Sequence, residues 1–209
     1  MSAGGEAKAP AAGRRAERSE ATRAALVAAA RQLFGRRGYA AVGTEEIVRA
    51  AGVTRGALYH HFAGKRELLE AAYRQVEEEL TRRVADVVLG SGSTSPTDAM
   101  RAGVNVFLDA CTEPEVQRIV LLDAPAVLGW DRWREIASDY GLGLIEASLA
   151  AAIEAGEIPE QPVKPLAHLL MGALDEAAML VARSDDPQIR DQVSTVLERL
   201  LAGIGTDVA

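Results

Sequence analysis

Residues 44–62, TEEIVRAAGVTRGALYHHF, constrain this chain more than any other stretch. They read as a short helix, a tight turn and a second short helix. Thr44 suits an N-cap, because its hydroxyl can accept from an orphan backbone N–H of the first turn. Glu45 and Glu46 follow, where negative charge meets the positive end of the helix dipole. Ile47, Val48 and Ala51 make an apolar face. Gly52 stands where the helix must stop and the chain must turn, with positive φ. Val53 plugs the turn and Thr54 caps the second helix, expected over residues 55–61. Ala57, Leu58 and Phe62 point inward at helical spacing. Arg55, Gly56, Tyr59 and His60 are left outside.

A helix-turn-helix of this form presents its second helix to the DNA major groove. Arg55 suits a guanine edge or a phosphate, and Gly56 permits close backbone approach. Tyr59 and His60 can reach phosphates or a thymine methyl. The same spacing also occurs in helical bundles that bind no DNA, where Tyr-His-His is a solvated face. The flanks favour DNA. Residues 19–37 read as an amphipathic helix, with Leu26, Val27, Ala30, Leu33 and Phe34 at the i, i+3, i+4 spacing. Gly38 ends it and Tyr39 tucks back. Downstream, Gly64 breaks the chain and Lys65 opens a new helix, where backbone N–H groups and an ammonium make a phosphate site. The expected DNA contacts are therefore Thr44, Thr54, Arg55, Gly56, Tyr59, His60 and Lys65.

Residues 22–70 resemble the DNA-binding domain of the TetR family of bacterial transcriptional regulators. The resemblance runs through Ala30, Phe34, Gly38-Tyr39, Thr44, Ile47, Ala51-Gly52-Val53, Gly56, Leu58-Tyr59, Phe62, Lys65 and Leu68. Val42 departs from it, where a small hydroxyl residue is frequent. The resemblance implies an all-α fold, with an N-terminal three-helix helix-turn-helix domain and a larger helical effector-binding and dimerisation domain. It implies a homodimer paired through the last two helices, a double-stranded DNA operator of palindromic form, and a small-molecule effector in the second domain. The expected division is a disordered arm over 1–17, the DNA-binding domain over 18–66 and the effector domain over 67–209.

Charge agrees with that division. Residues 1–70 hold 12 basic and 7 acidic residues, net +5; residues 71–209 hold 11 and 23, net −12; together they give the chain's −7. An acidic whole does not exclude nucleic acid when the basic part is local, because only the field at the docking face counts. One cysteine, Cys111, excludes an intramolecular disulfide and suits a reducing cytoplasm. No charge-free apolar run reaches membrane-spanning length, and residues 1–17 lack the apolar centre of a signal peptide. No P-loop, nucleophile elbow or metal-ligand spacing is present, so an enzyme, a cofactor and a metal are not expected.

The second domain reads as helices throughout. The first, 65–89, carries Leu69, Tyr73, Val76, Leu80, Val84 and Val87 as a stripe. Ser95 and Pro96 open the next, which runs to about Cys111. Thr112 and Glu115 suggest a capping box for a helix over 115–122, which Pro125 interrupts. A long helix over 130–155 follows, then an apolar one over 166–181 whose polar exceptions are His168, Asp175 and Glu176. Asp186 and Pro187 open the last, with Ile189, Val193, Val196, Leu197, Leu200 and Ile204 as its stripe. Residues 121–136, LLDAPAVLGWDRWREI, resemble a segment recurring in a subgroup of the family. The expected pocket lining is Met100, Phe107, Trp130, Trp133, Tyr140, His168, Met171 and Asp175. Two other functions fit the same sequence: a DNA-binding regulator without an effector, and a helical scaffold that uses its acidic body as the interaction surface.

Overall fold

The computed structural model describes residues 11–90 and 95–204, and no strand occurs among them. Three helices, α1 (Ala11–Arg37), α2 (Thr44–Ala50) and α3 (Arg55–His61), form the N-terminal unit. Helix α4 (Lys65–Gly90) leads away from it, followed by α5 (Pro96–Ala110) and α6 (Pro114–Val116). A π-helical segment, Gln117–Asp123, then continues into α7 (Ala124–Leu128). Helices α8 (Trp130–Glu154), α9 (Val163–Arg183) and α10 (Ile189–Ile204) complete the fold.

One apolar core runs without a break from Leu26, Phe34, Ile47 and Leu58 through Leu68, Leu69 and Tyr73 to Trp133, Met179 and Leu197. Helix α4 belongs to both ends of it. Its first turns pack on α1, and its later turns lie along α5. Helices α4 and α5 approach closely at Gly103, where a Cβ would meet a Val88 methyl at 2.7 Å. A smaller cluster of Met100, Leu149, Ala152, Ile158 and Ala167 fills the far end.

Five expectations are corrected. The arm expected over 1–17 is helical from Ala11, while residues 1–10 lie outside the described residues. The stretch AAGRRAER is rich in strong helix formers, so α1 extends backward along an exposed turn. Thr44 does not cap α2. Gly43 does, in extended geometry, and Thr44 is already the first helical residue. The capping box at Thr112 is absent: the Thr112 hydroxyl donates to the Asp109 carbonyl, and Glu113 precedes the helix with Pro114 first. Pro125 does not break the helical run. It sits in the first turn of α7, just past the wider π spacing, so its missing N–H and its ring are accommodated by the changed register. Likewise α9 begins three residues early, at Val163, because Pro165 falls in a first turn whose N–H groups have no helical partner.

By length and composition α8 and α9 are each apolar enough to cross a membrane, though neither holds a charge-free run of that length.

Candidate nucleic-acid interface and inner cavity

The turn between α2 and α3 is built as its sequence dictates. Gly52 takes φ +66°, a conformation that costs an L side chain strain. Thr54 caps α3, its Oγ1 accepting from the Ala57 N–H at 3.2 Å. Leu58 and Phe62 are buried beneath α3, which fixes the opposite face outward. On that face Arg55, Gly56 and His60 are exposed, and Tyr59 is 49% exposed. The Arg55 guanidinium lies 5.6 Å from the Tyr59 ring centre and 3.5 Å from Glu45, both sites open to water. Such contacts contribute a few tenths of a kcal/mol to about 1 kcal/mol. They hold Arg55 without sequestering it. Thr44 is half-buried at the start of α2.

Lys65 is placed differently from the expectation. Its ammonium donates to the carbonyls of Tyr39 and Val42 at 2.9 Å each, and stands 4.0 Å from the Tyr39 ring centre. Two of its three N–H groups thus pin the loop after α1 to the start of α4. Val42, the departure from the family pattern, is a core residue under that loop. A cation the sequence reading passed over is Arg23, whose guanidinium lies 5.3 Å from the Phe62 ring at the end of α3.

The N-terminal unit is tied to the π segment, α4 and α6 by polar contacts, and α4 in turn to α7. The Tyr39 N–H donates to Asp123 Oδ2 at 2.7 Å. Arg66 donates to the Leu128 carbonyl at 3.0 Å. Arg31 of α1 bridges Glu79 of α4, at 2.6 Å, and Glu115, at 2.8 Å. Paired hydrogen bonds from Arg31 hold the Glu79 carboxyl below its ordinary range. Gly38, at φ +78°, leaves a Cβ position only 3.3 Å from the Arg118 side chain, so this corner is close-packed.

The other side of the same segment faces a cavity. Val120 and Leu121 line a partly open cavity of about 150 Å³ between α4, α5, α8, α9 and α10. Of the expected lining, Met100, Phe107, Trp133, Met171 and Asp175 are there, and Trp130, Tyr140 and His168 are not. Trp130 opens α8 at the surface, half exposed, and stacks on Trp133 at 4.8 Å. Tyr140 faces Arg74, and His168 points to solvent on α9. Glu176 is also exposed, so of the three polar residues of α9 only Asp175 needed a buried partner; Arg134 supplies it at 2.6 Å. The Asp175 carboxyl is still pushed up to about 6, because burial outweighs the attraction of Arg134.

Sequence reading missed Glu77, which lines the cavity at 8% exposure. Burial pushes its carboxyl up to about 7. The signal was available. Glu77 stands four residues after Tyr73 and three before Leu80, on the apolar stripe of α4, but it is masked by the solvated-looking run Glu77-Glu78-Glu79. The Cys111 thiol is also on the wall, and burial pushes its ionisation far up, so it behaves as an apolar group. Among the described residues, no group of His, Cys, Asp and Glu could hold a metal ion.

Comparison with known proteins agrees with this arrangement. Residues 26–72 match the family model described as bacterial regulatory proteins, tetR family, and residues 97–204 match that of the tetracyclin repressor-like C-terminal domain. The TetC protein of transposon Tn10 from Escherichia coli is 30% identical over 75% of this chain and 78% of its own length. The HTH-type transcriptional regulator SrpR of Pseudomonas putida is 34% identical over 69% of this chain and 67% of its own. The crystal structure of a TetR-family transcriptional regulator from Pectobacterium atrosepticum superposes with a TM-score of 0.79 at 35% identity, covering 90% of this chain and 96% of that one.

Proposed function

This chain belongs to the TetR family of bacterial transcriptional regulators, DNA-binding proteins and not enzymes, and on that premise we propose a specific role for it. It acts in the cytoplasm as a homodimeric repressor. It binds a palindromic operator through α3 and is released when a small, largely apolar effector enters the inner cavity. The observation that carries this reading is the two-faced build of α3: Leu58 is wholly buried, while Arg55, Gly56, Tyr59 and His60 stand together in solvent.

Three further features support it. One recognition helix reads too few base pairs, whereas a two-fold dimer reads two half-sites about 34–36 Å apart or a related spacing. Helices α9 and α10 supply an apolar face for that dimer: Leu169 is 73% and Leu200 52% exposed, with Leu180 and Val196 beside them in kind. An apolar helix bare on one side calls for a cover. The cavity wall and the DNA-binding unit also meet at one element. Val120 and Leu121 face the cavity, and Asp123, two residues on, accepts from Tyr39. A ligand that shifts the π segment or α4 moves α3 relative to its twin and spoils the half-site spacing. Coupling of ~1–3 kcal/mol weakens operator binding ~5–150-fold.

The test is a titration of the full chain against the DNA upstream of its own gene, with salt varied. Arg55→Ala should lower specific affinity by about 1–3 kcal/mol if Arg55 reads a base, or reduce the salt slope by about 1 if it holds a phosphate. Equal affinity and equal slope remove Arg55 from the interface.

A further inference from the structure

We propose that the inner cavity selects a compact apolar amine, with a body of roughly benzene size and its charged nitrogen seated at the Glu77 carboxyl. This rests on the reading of the cavity as the effector site, and it adds the chemical class of the effector.

Two ionisable acids, Glu77 and Asp175, line the cavity, and among the described lining residues there is no Lys, Arg or His. Arg134 of α8 reaches Asp175 and is committed to it at 2.6 Å. Glu77 has no such cation. The groups that face it are the Tyr73 hydroxyl on its own helix, the buried Cys111 thiol at the end of α5, and Asp175 from α9 with Arg134 behind it. The π segment and α10 offer only Val120, Leu121, Leu197, Leu200 and Leu201.

Tyr73 favours the charged form of Glu77, but by less than burial disfavours it. Its hydroxyl has one hydrogen, which goes to the Trp133 carbonyl at 3.0 Å. A carbonyl can only accept. Turning that hydrogen toward a Glu77 carboxylate gives up the Trp133 contact and leaves that oxygen only its bond within α8, whereas a protonated Glu77 donates to the tyrosine oxygen and keeps both contacts. Burial on the apolar wall therefore favours a neutral Glu77 and pushes its carboxyl up to about 7.

A ligand ammonium changes that balance. It supplies the cation and the extra donors that Glu77 lacks, so the acid ionises on binding and its proton passes to solvent. An apolar anion would bring a second negative charge beside Glu77 and Asp175. A neutral ligand would leave the acid as it is. Thr81 and Ser148 aside, the rest of the wall is apolar and rewards a hydrocarbon body. A cavity of about 150 Å³ matches a single ring with a short arm.

The probes are benzylamine, benzyl alcohol and benzoate, nearly equal in shape and differing in charge. Binding to the full-length protein is measured by calorimetry at pH 6 and pH 8, in buffers of different ionisation heat, with operator release followed in parallel. Benzylamine should bind about tenfold or more tighter than the other two, as expected for one charge-assisted hydrogen bond. Its affinity should rise from pH 6 to pH 8, with proton release into the buffer. Glu77→Gln should erase both the preference and the proton release. If benzyl alcohol or benzoate binds as well as benzylamine and releases the operator, the amine assignment is overturned while the cavity remains the effector site. A benzylamine preference that survives in Glu77→Gln also overturns it. If none of the three binds, the effector-site reading falls with it.

Discussion

Glu77→Gln should flatten the pH dependence of this protein's stability between pH 6 and pH 8. The Glu77 carboxyl titrates near 4.5 when unfolded and near 7 when folded, because burial in an apolar wall disfavours its charged form. Between those values the folded chain keeps a proton that the unfolded chain has lost. Folding is thus favoured below pH 4.5, and that contribution is lost as pH rises through 7. The gap of about 2.5 pH units, at ~1.4 kcal/mol each, gives about 3.5 kcal/mol in all, most of it lost between pH 4.5 and 7, and ~1.4 kcal/mol of it between pH 6 and pH 8. For a chain of this size that last part corresponds to a Tm decrease of roughly 3–6 °C. Asp175 contributes with the same sign, from 3.8 to about 6, so its share is complete below the window in which Glu77 is still titrating. The assay is urea unfolding of wild type and Glu77→Gln at pH 5, 6, 7 and 8. Protein concentration is fixed, since dimer stability depends on it. Wild type should lose stability across pH 6–8 while the variant holds level; parallel profiles would refute the reasoning.

Three other outcomes are expected. Leu180→Glu combined with Leu200→Glu places charges on the exposed apolar faces of α9 and α10. Light scattering should then report a monomer, and a persistent dimer would move the interface elsewhere. Asp123→Ala leaves the Tyr39 N–H, now bonded at 2.7 Å, without its acceptor. It should cost about 1–2 kcal/mol in urea unfolding, and an unchanged midpoint would deny the anchor between the two units. Gly52→Ala meets nothing within 4 Å, so its cost is conformational only. Holding alanine at φ +66° should lower stability by about 1–2 kcal/mol; a neutral or stabilising result would mean the turn relaxes to negative φ.

Much of the fold was legible because its signals are local. Helical spacing of apolar residues marked every long helix, and Gly38, Gly52 and Gly156 marked stops where the chain does take positive φ. Thr54 and Ser95 cap as their positions imply. The outward set on α3 followed from knowing which of its residues point in. The readings that failed needed something the linear chain does not carry. Thr44 yielded to Gly43 by one residue, a shift of the size at which helix ends are set by backbone geometry and not by residue type. Pro125 reads as a break until the π spacing before it changes the register.

The residues of the sequence alone determined that this chain is helical, that its first third carries a basic reading head, and which side of α3 meets solvent. Each of these depends on neighbours three or four positions away. Only the tertiary structure decided what surrounds each polar group. It committed the Lys65 ammonium to two carbonyls of a distant loop, put Asp175 against Arg134, and left Glu77 on an apolar wall without a cation. The reason is physical: a side chain's periodicity is fixed by its own helix, but its solvation and its charge are fixed by elements far along the chain, and no spacing in the sequence encodes which of those will arrive.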